Sequence, residues 1–286
     1  MEWDDKLKGS VRDEAQRETA AVRHFYDEIV AYEWSRLDHY VLEFAAVRHY
    51  FQRFLPPPPA RALDVGGGPG RYAVLLAQAG YDVTLVDLAP RNVDWANGQF
   101  HQANVADHAR ALMGDARDLG AYAGAGFDVA LLMGPLYHLP LAADRARALR
   151  GIHDALKSGG VAFTMSLTRA AAIYEGLNRW PEGILERAGV DQLLTTGAGF
   201  NFERNPHDFE GVYHATVAEV TPLHEAAGFR TLALAGCEAM LGGRRAEIER
   251  MAPEIQAAWV ALALRLCEDT TLLGAAERLL YVGVTN

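Results

Sequence analysis

Near the start of the chain, apolar residues return at every third or fourth position. Val22, Phe25, Tyr26, Ile29 and Val30 make one such series, and Leu37, Tyr40, Val41, Phe44, Val47, Phe51 and Leu55 make a second. A period of about 3.6 predicts two amphipathic helices between about residues 10 and 55. Pro56 to Pro59 then end any helix and form a short stiff connector.

From Arg61 the pattern changes to short apolar runs alternating with helical stretches. Strands are predicted at 62–65, 83–87, 111–114, 128–133 and 161–167, with helices near 70–79, 90–106 and 141–157. This alternation builds βαβ units and a mostly parallel sheet covered on both faces, an α/β fold. The regularity lapses from Leu167 to Val217, where short helices and one or two strands are expected to form a cap. A helix at 217–227, a strand at 229–234, a helical block at 244–268 and a last strand at 279–284 complete the reading. The expected division is a helical lid (1–59), a central core (60–167), a cap insertion (168–216) and a C-terminal part of the core with a helical insertion (217–286).

Composition narrows the partners. The 286 residues carry 27 Lys and Arg against 37 Asp and Glu, a formal charge of −10, and half are hydrophobic. Such a chain has material for a large core and is not disordered. Its acidity disfavours duplex nucleic acid and anionic membranes, which are bound through Lys and Arg. Cys237 and Cys267 lie far apart with no metal-ligand spacing, so neither a disulfide framework nor a metal site is expected. The start, Met1 to Asp5, is acidic and lacks the apolar stretch of a secretory leader. A cytoplasmic protein with no membrane span and an open oligomeric state, homo-oligomer included, is the expectation.

The segment with chemical content is Asp64-Val65-Gly66-Gly67-Gly68-Pro69-Gly70-Arg71-Tyr72, a strand end running through a glycine turn into a helix. Glycines belong where backbone turns tightly and a ligand approaches with no Cβ between. In a dinucleotide fingerprint the third glycine would fall at Arg71, whose bulk forbids close packing. The glycines sit instead at 66, 68 and 70, after an acid that would repel a pyrophosphate and suits a cationic amino-acid end. Asp87 closes the second strand about 20 residues on, where an acid accepts ribose hydroxyls, and Gly114-Asp115-Ala116 follows the third. All lie at carboxyl ends of parallel strands, where doubly wound sheets bind ligands.

On these motifs, over about residues 22 to 167, the chain resembles the class I, Rossmann-like S-adenosylmethionine-dependent methyltransferases. Gly134-Pro135-Leu136-Tyr137-His138-Leu139 resembles a motif after strand four in a bacterial small-molecule subgroup. Tyr26-Asp27 and Glu33-Trp34-Ser35-Arg36-Leu37 resemble that subgroup's helical lid. The resemblance implies a doubly wound, seven-stranded, mostly parallel sheet whose last strand is antiparallel. It implies S-adenosylmethionine as cofactor, bound at Asp64, Gly66, Gly68 and Gly70, at Asp87 and Leu88, and at Asp115, Ala116 and Met133. Tyr26 is either a further cofactor contact or a packed core residue.

Methyl transfer is an in-line displacement that needs a positioned nucleophile, and a base only when the nucleophile must lose a proton. His138, just beyond strand four, is the first candidate base, with ordering of its loop as the competing reading. His214 is the second catalytic candidate. Tyr137, Trp180, His207 and Tyr213 are candidates for an acceptor pocket, with Phe202 as a further aromatic. The expected reaction is methylation of a small aromatic or heterocyclic secondary metabolite at carbon or nitrogen, an indole-like acceptor included. A non-catalytic S-adenosylmethionine-binding protein of the same fold is the alternative, and a nicotinamide-dependent oxidoreductase a more distant one.

Overall fold

Every residue from Val129 to Leu132 is fully buried, as befits a strand in the middle of a sheet covered on both faces. The structure is a computed structural model that describes residues 2–198 and 212–286, with side chains described from residue 19 onward. Two helices lead, α1 (Glu2–His39) and α2 (Val41–Phe54). The alternating part follows as β1 (Ala60–Val65), α3 (Arg71–Gln78), β2 (Tyr81–Asp87), α4 (Pro90–Gln102) and β3 (Ala109–Met113). It continues with β4 (Phe127–Leu132), α5 (Ala142–Ala155) and β5 (Leu156–Thr168). Helices α6 (Arg169–Arg179) and α7 (Arg187–Thr196) and the two-residue β6 (His214–Ala215) come next. The chain closes with α8 (Val217–Ala226), β7 (Phe229–Gly236), α9 (Arg245–Glu249), α10 (Pro253–Leu266) and β8 (Arg278–Thr285).

The sheet runs β3-β2-β1-β4-β5-β8-β7, and β6 pairs with β5 off that path. Strands β1 to β5 pair in parallel, whereas β8 is antiparallel to both β5 and β7. The seven long strands match the doubly wound, mostly parallel sheet expected from the sequence. Strand order reverses beside β1: β2 and β3 lie to one side and β4 to the other. The connections leaving β1 and β4 therefore diverge and open a crevice at their carboxyl ends, the position at which such sheets bind ligands.

One face of the sheet is covered by α2, α3 and α4, with Tyr50, Phe51, Leu76 and Phe100 packed on Val129 and Phe163. The other is covered by α5 and α8, with Leu149, Ile152 and Val220 packed on Leu63, Leu132 and Tyr281. Between α6 and α7, Ala172 and Leu193 form a small separate cluster with Trp180 and Val190. Some boundaries differ from the periodicity. Helix α4 stops at Gln102 rather than 106 because Asn104 takes a left-handed conformation, φ +56°. The block expected at 244–268 is two helices, since Pro253 cannot continue α9 and instead starts α10.

Candidate functional site

The turn after β1 is shaped by what its backbone approaches. Gly68 holds φ +56°, and a Cβ there would meet only the Asn92 side chain, at 4.0 Å, in a position that faces the crevice. Gly70, at φ +88°, starts α3, and a Cβ there would press on Ala96 at 3.1 Å and Phe100 at 3.3 Å. Gly70 thus sets the packing of α3 against α4 and does not line the crevice, whereas Gly66 and Gly68 do.

Asp64 is buried at 2% exposure, and its Oδ2 has no hydrogen-bond partner among the described residues. Burial, reinforced by the charge of Asp87, pushes its carboxyl up to about 7. Asp87 is also buried but well supplied. Its Oδ2 accepts from the Gly68 N–H at 2.8 Å, and its Oδ1 accepts from the Ala89 N–H at 2.9 Å and the Asn92 side-chain amide at 3.1 Å. Burial raises its carboxyl, and these three donors counter part of that rise.

Asp115 is claimed by its neighbour, accepting from the Arg117 backbone N–H at 2.8 Å and from Nε at 3.0 Å. Burial raises the Asp115 carboxyl, but the Arg117 hydrogen bonds and charge outweigh it and leave the group below the usual range. The same guanidinium donates to the Thr19 hydroxyl of α1 at 2.9 Å, so the lid helix is tied to the loop after β3. Around these groups lies a cavity of about 1300 Å³ including its mouth. Leu88, Ala116 and Met133 lie on its wall, and Tyr26, Glu33 and Arg36 of α1 close it from above.

The residues present fit S-adenosylmethionine. Asp64 and Asn92, whose Oδ2 and Oδ1 are buried without a partner among the described residues, line a cavity in which Gly68 leaves room by lacking a Cβ. A buried carboxylate without a partner suits a cation, and a second one held by three donors suits paired hydroxyls.

At the other end of the cavity the Tyr26 hydroxyl lies 2.6 Å from His138 Nε2, and Tyr137 packs beside that imidazole at 4.7 Å between ring centres. Burial pushes the His138 imidazole down to about 3 and raises the Tyr26 phenol well above its ordinary value. Below them Arg36 donates through Nε to Glu33 at 3.1 Å and in bidentate fashion to Glu43 at 2.7 and 3.1 Å. Glu43, 1% exposed, also pairs with Arg278 at 3.2 Å, and Arg278 pairs with Glu238 at 3.2 Å. Burial raises the Glu43 carboxyl, but the two guanidiniums outweigh it and hold it below the usual range. The cavity wall at α1 is therefore anchored to β8 by a buried ion network.

Two wall residues, Asn92 and Arg117, were not singled out from the sequence, and three more, Glu33, Arg36 and Tyr72, were quoted only as parts of the lid and glycine-turn motifs and not as site residues. Asn92 and Tyr72 sit in the first turns of α4 and α3, and the first turn of a helix that follows a ligand-binding strand end is the signal that would have found them. The Tyr72 hydroxyl is buried without a partner among the described residues. Other expected residues lie elsewhere. His214 is buried in β6, away from the cavity, with its imidazole pushed down to about 4 by burial. Tyr213 lies under the Arg145 guanidinium at 3.5 Å, hydrogen-bonds Glu219 and lines a separate small pocket. Its backbone N–H donates to the Tyr137 carbonyl at 2.8 Å, which joins the cap to the cavity loop. Trp180 ends α6 and packs in the α6–α7 cluster. His207 and Phe202 fall outside the described residues. Among the described residues no cluster of three or more His, Cys, Asp or Glu could hold a metal ion, and no helix is long and apolar enough to cross a membrane.

Residues 63–164 match the family model described as a methyltransferase domain. A ubiquinone biosynthesis O-methyltransferase of Xanthomonas axonopodis pv. citri is 33% identical over 125 residues, 44% of this chain and 50% of the relative, so the match spans about half the relative's length. One from Cereibacter sphaeroides is 32% identical over 193 residues, 58% of this chain and 74% of the relative. A Thermotoga maritima structure described as a possible histamine N-methyltransferase is 18% identical, covers 92% of this chain and 99% of that one, and superposes with a TM-score of 0.57. The likeness to that structure is one of fold. Together with the relative matched over 74% of its length, the reversal of strand order beside a glycine turn puts the chain in the class I, Rossmann-like S-adenosylmethionine-dependent methyltransferases.

Proposed function

We propose that this chain transfers a methyl group from S-adenosylmethionine to a small-molecule acceptor carrying an aromatic or heterocyclic hydroxyl. The observation that carries the reading is the His138 imidazole, 2.6 Å from the Tyr26 hydroxyl, on the wall of the same cavity as Asp64 and Asp87. When bound, the cofactor supplies an electrophilic methyl carbon. Asp64 takes its cationic amino-acid end, Asp87 its ribose hydroxyls, and Leu88, Ala116 and Met133 the flanks of its base. Asp115 serves that end through its pairing with Arg117, which fixes the loop after β3.

The chain's remaining tasks are to orient the acceptor, exclude water and remove one proton. Tyr137, Tyr72 and the Glu33–Arg36 pair frame the acceptor, and α1 covers the cavity. His138 accepts the hydroxyl proton at Nδ1, in the tautomer whose Nε2–H donates to the Tyr26 hydroxyl and so holds the ring. An imidazole this easily deprotonated is a weak base, yet it suffices. As the new carbon–oxygen bond forms, the attacking hydroxyl becomes strongly acidic and gives up its proton late in the step. The aromatic wall suits the aromatic acceptor expected from the sequence, while the relatives' O-methyltransferase names favour oxygen over carbon or nitrogen as the methylated atom.

The test is release of S-adenosylhomocysteine across a panel of phenols, catechols and indoles. Turnover with hydroxylated aromatics, lost in His138→Gln, is the expected result. Tight cofactor binding with no acceptor-dependent turnover would replace this reading with that of a binding protein.

A further inference from the structure

Helix α10 carries a long uncharged face that is largely exposed. Of its 14 residues only Ala263 is fully buried. Ile255, Trp259 and Leu262 are 49%, 37% and 38% exposed, and Ala257, Ala258 and Ala261 are exposed beside them. No charged residue occurs between Glu254 and Arg265, although the solvent face of a surface helix ordinarily carries charge throughout.

The two charges that bound this stretch fall on the apolar face. Glu254, Ala258, Ala261 and Arg265 are spaced by four, three and four positions, the spacing of a straight seam along a helix. Alanines at its centre let a second helix approach closely, and Ile255, Trp259 and Leu262 flank it on one side. Neither Glu254 nor Arg265 forms an ion pair with a described residue of its own chain. The seam is self-complementary. Set against itself in antiparallel fashion about a two-fold axis between Trp259 and Val260, it places Glu254 opposite Arg265 at both ends and Ala258 opposite Ala261 between them.

We infer that α10 is the interface of a symmetric homodimer, with a second copy of this chain as the occupant of its apolar face. Isologous pairing of this kind is the commonest form of self-association. One helix pair covers less than the ~800 Å² per partner of a standard interface, so the dimer is a weak one that forms at micromolar concentrations. The cavity lies on other elements, so each subunit keeps a complete site.

An acid in the first turn and a base in the last also suit the helix dipole, and charge exchange separates the two roles. Sedimentation equilibrium of the full chain is expected to show dimerisation with a Kd of roughly 10–100 µM. Glu254→Arg and Arg265→Glu should each raise that Kd about tenfold by setting like charges face to face. The double exchange should restore it to within about threefold, because the pairing is re-made with signs reversed. Leu262→Glu should leave only monomer, and calorimetric S-adenosylmethionine binding unchanged in all variants would confirm that they fold. A wild-type monomer up to about 500 µM would overturn the proposal. So would single exchanges without effect, or a double exchange that associates less than either single.

Discussion

The Tyr26 hydroxyl and His138 Nε2 are 2.6 Å apart although 112 residues separate them in the chain. One stands on the lid helix α1 and the other on the loop after β4, so the contact depends on α1 lying over the carboxyl ends of the strands. His138→Ala is expected to lower kcat by about 10²–10⁴-fold, the range for loss of a general base. Tyr26→Phe should cost about five- to tenfold through loss of one hydrogen bond. Cofactor affinity should change little in either variant. Steady-state S-adenosylhomocysteine release, alongside calorimetry for the cofactor, checks both.

With its imidazole pushed down to about 3, His138 is uncharged throughout the range in which an ordinary histidine titrates. The profile of kcat against pH should therefore lack an inflection near ~6.5. A step there that disappears in His138→Gln would mean that the ring opens to solvent during turnover.

The Asp64 carboxyl, raised to about 7 in the free protein, is mostly protonated at pH 6. A bound cation favours its charged form, so the complex holds fewer protons than the free protein. Binding is then favoured by rising pH, with affinity increasing by up to about tenfold per unit below pH ~7 and levelling above it. Calorimetry at pH 6 in buffers of differing ionisation enthalpy should register release of nearly one proton, and Asp64→Asn should abolish both effects.

Asp87 is presented to the cavity by three donors, from Gly68, Ala89 and Asn92. Asp87→Ala is expected to weaken S-adenosylmethionine binding about a hundredfold, since hydrogen bonds to a charged group contribute about 1.5–3 kcal/mol each. Asn92→Ala, which frees the carboxylate to rotate, should cost about tenfold on the same scale. Gly68→Val should abolish binding by putting side-chain bulk where the ligand approaches. Titration calorimetry ranks the three.

Glu43 neutralises both Arg36 and Arg278 at 1% exposure. Glu43→Ala leaves two buried guanidiniums without their shared partner and should destabilise the fold by about 3–5 kcal/mol. Urea denaturation measures this directly. Because Arg36 lies on the cavity wall, the acceptor KM should also rise in whatever fraction remains folded.

The chain by itself determined the alternating sheet, the glycine turn and the acids at the ends of β1, β2 and β3. These rest on short-range rules. Periodicity assigns strands and helices, parallel pairing brings all their carboxyl ends to one side, and turn geometry demands glycine where a side chain would collide. The boundaries that moved, at Asn104 and Pro253, did so for equally local reasons that the apolar pattern alone does not record.

Tertiary structure decided which side chains share the cavity. His214, Tyr213 and Trp180 were chosen for their chemistry within a segment that has no period, and the folded chain sets them outside it. Glu33, Arg36 and Tyr72 were legible only as members of the lid and glycine-turn motifs, and no local pattern says that their side chains share one cavity. Glu33 and Arg36 reach the site because α1 crosses the open ends of the strands and is pinned there by Glu43 and Arg278, residues 235 positions apart in the numbering of a single chain, whereas Tyr72 is carried there by the first turn of α3. Which face of a helix meets a cavity is set by packing against elements far away in sequence, and no local pattern encodes that choice.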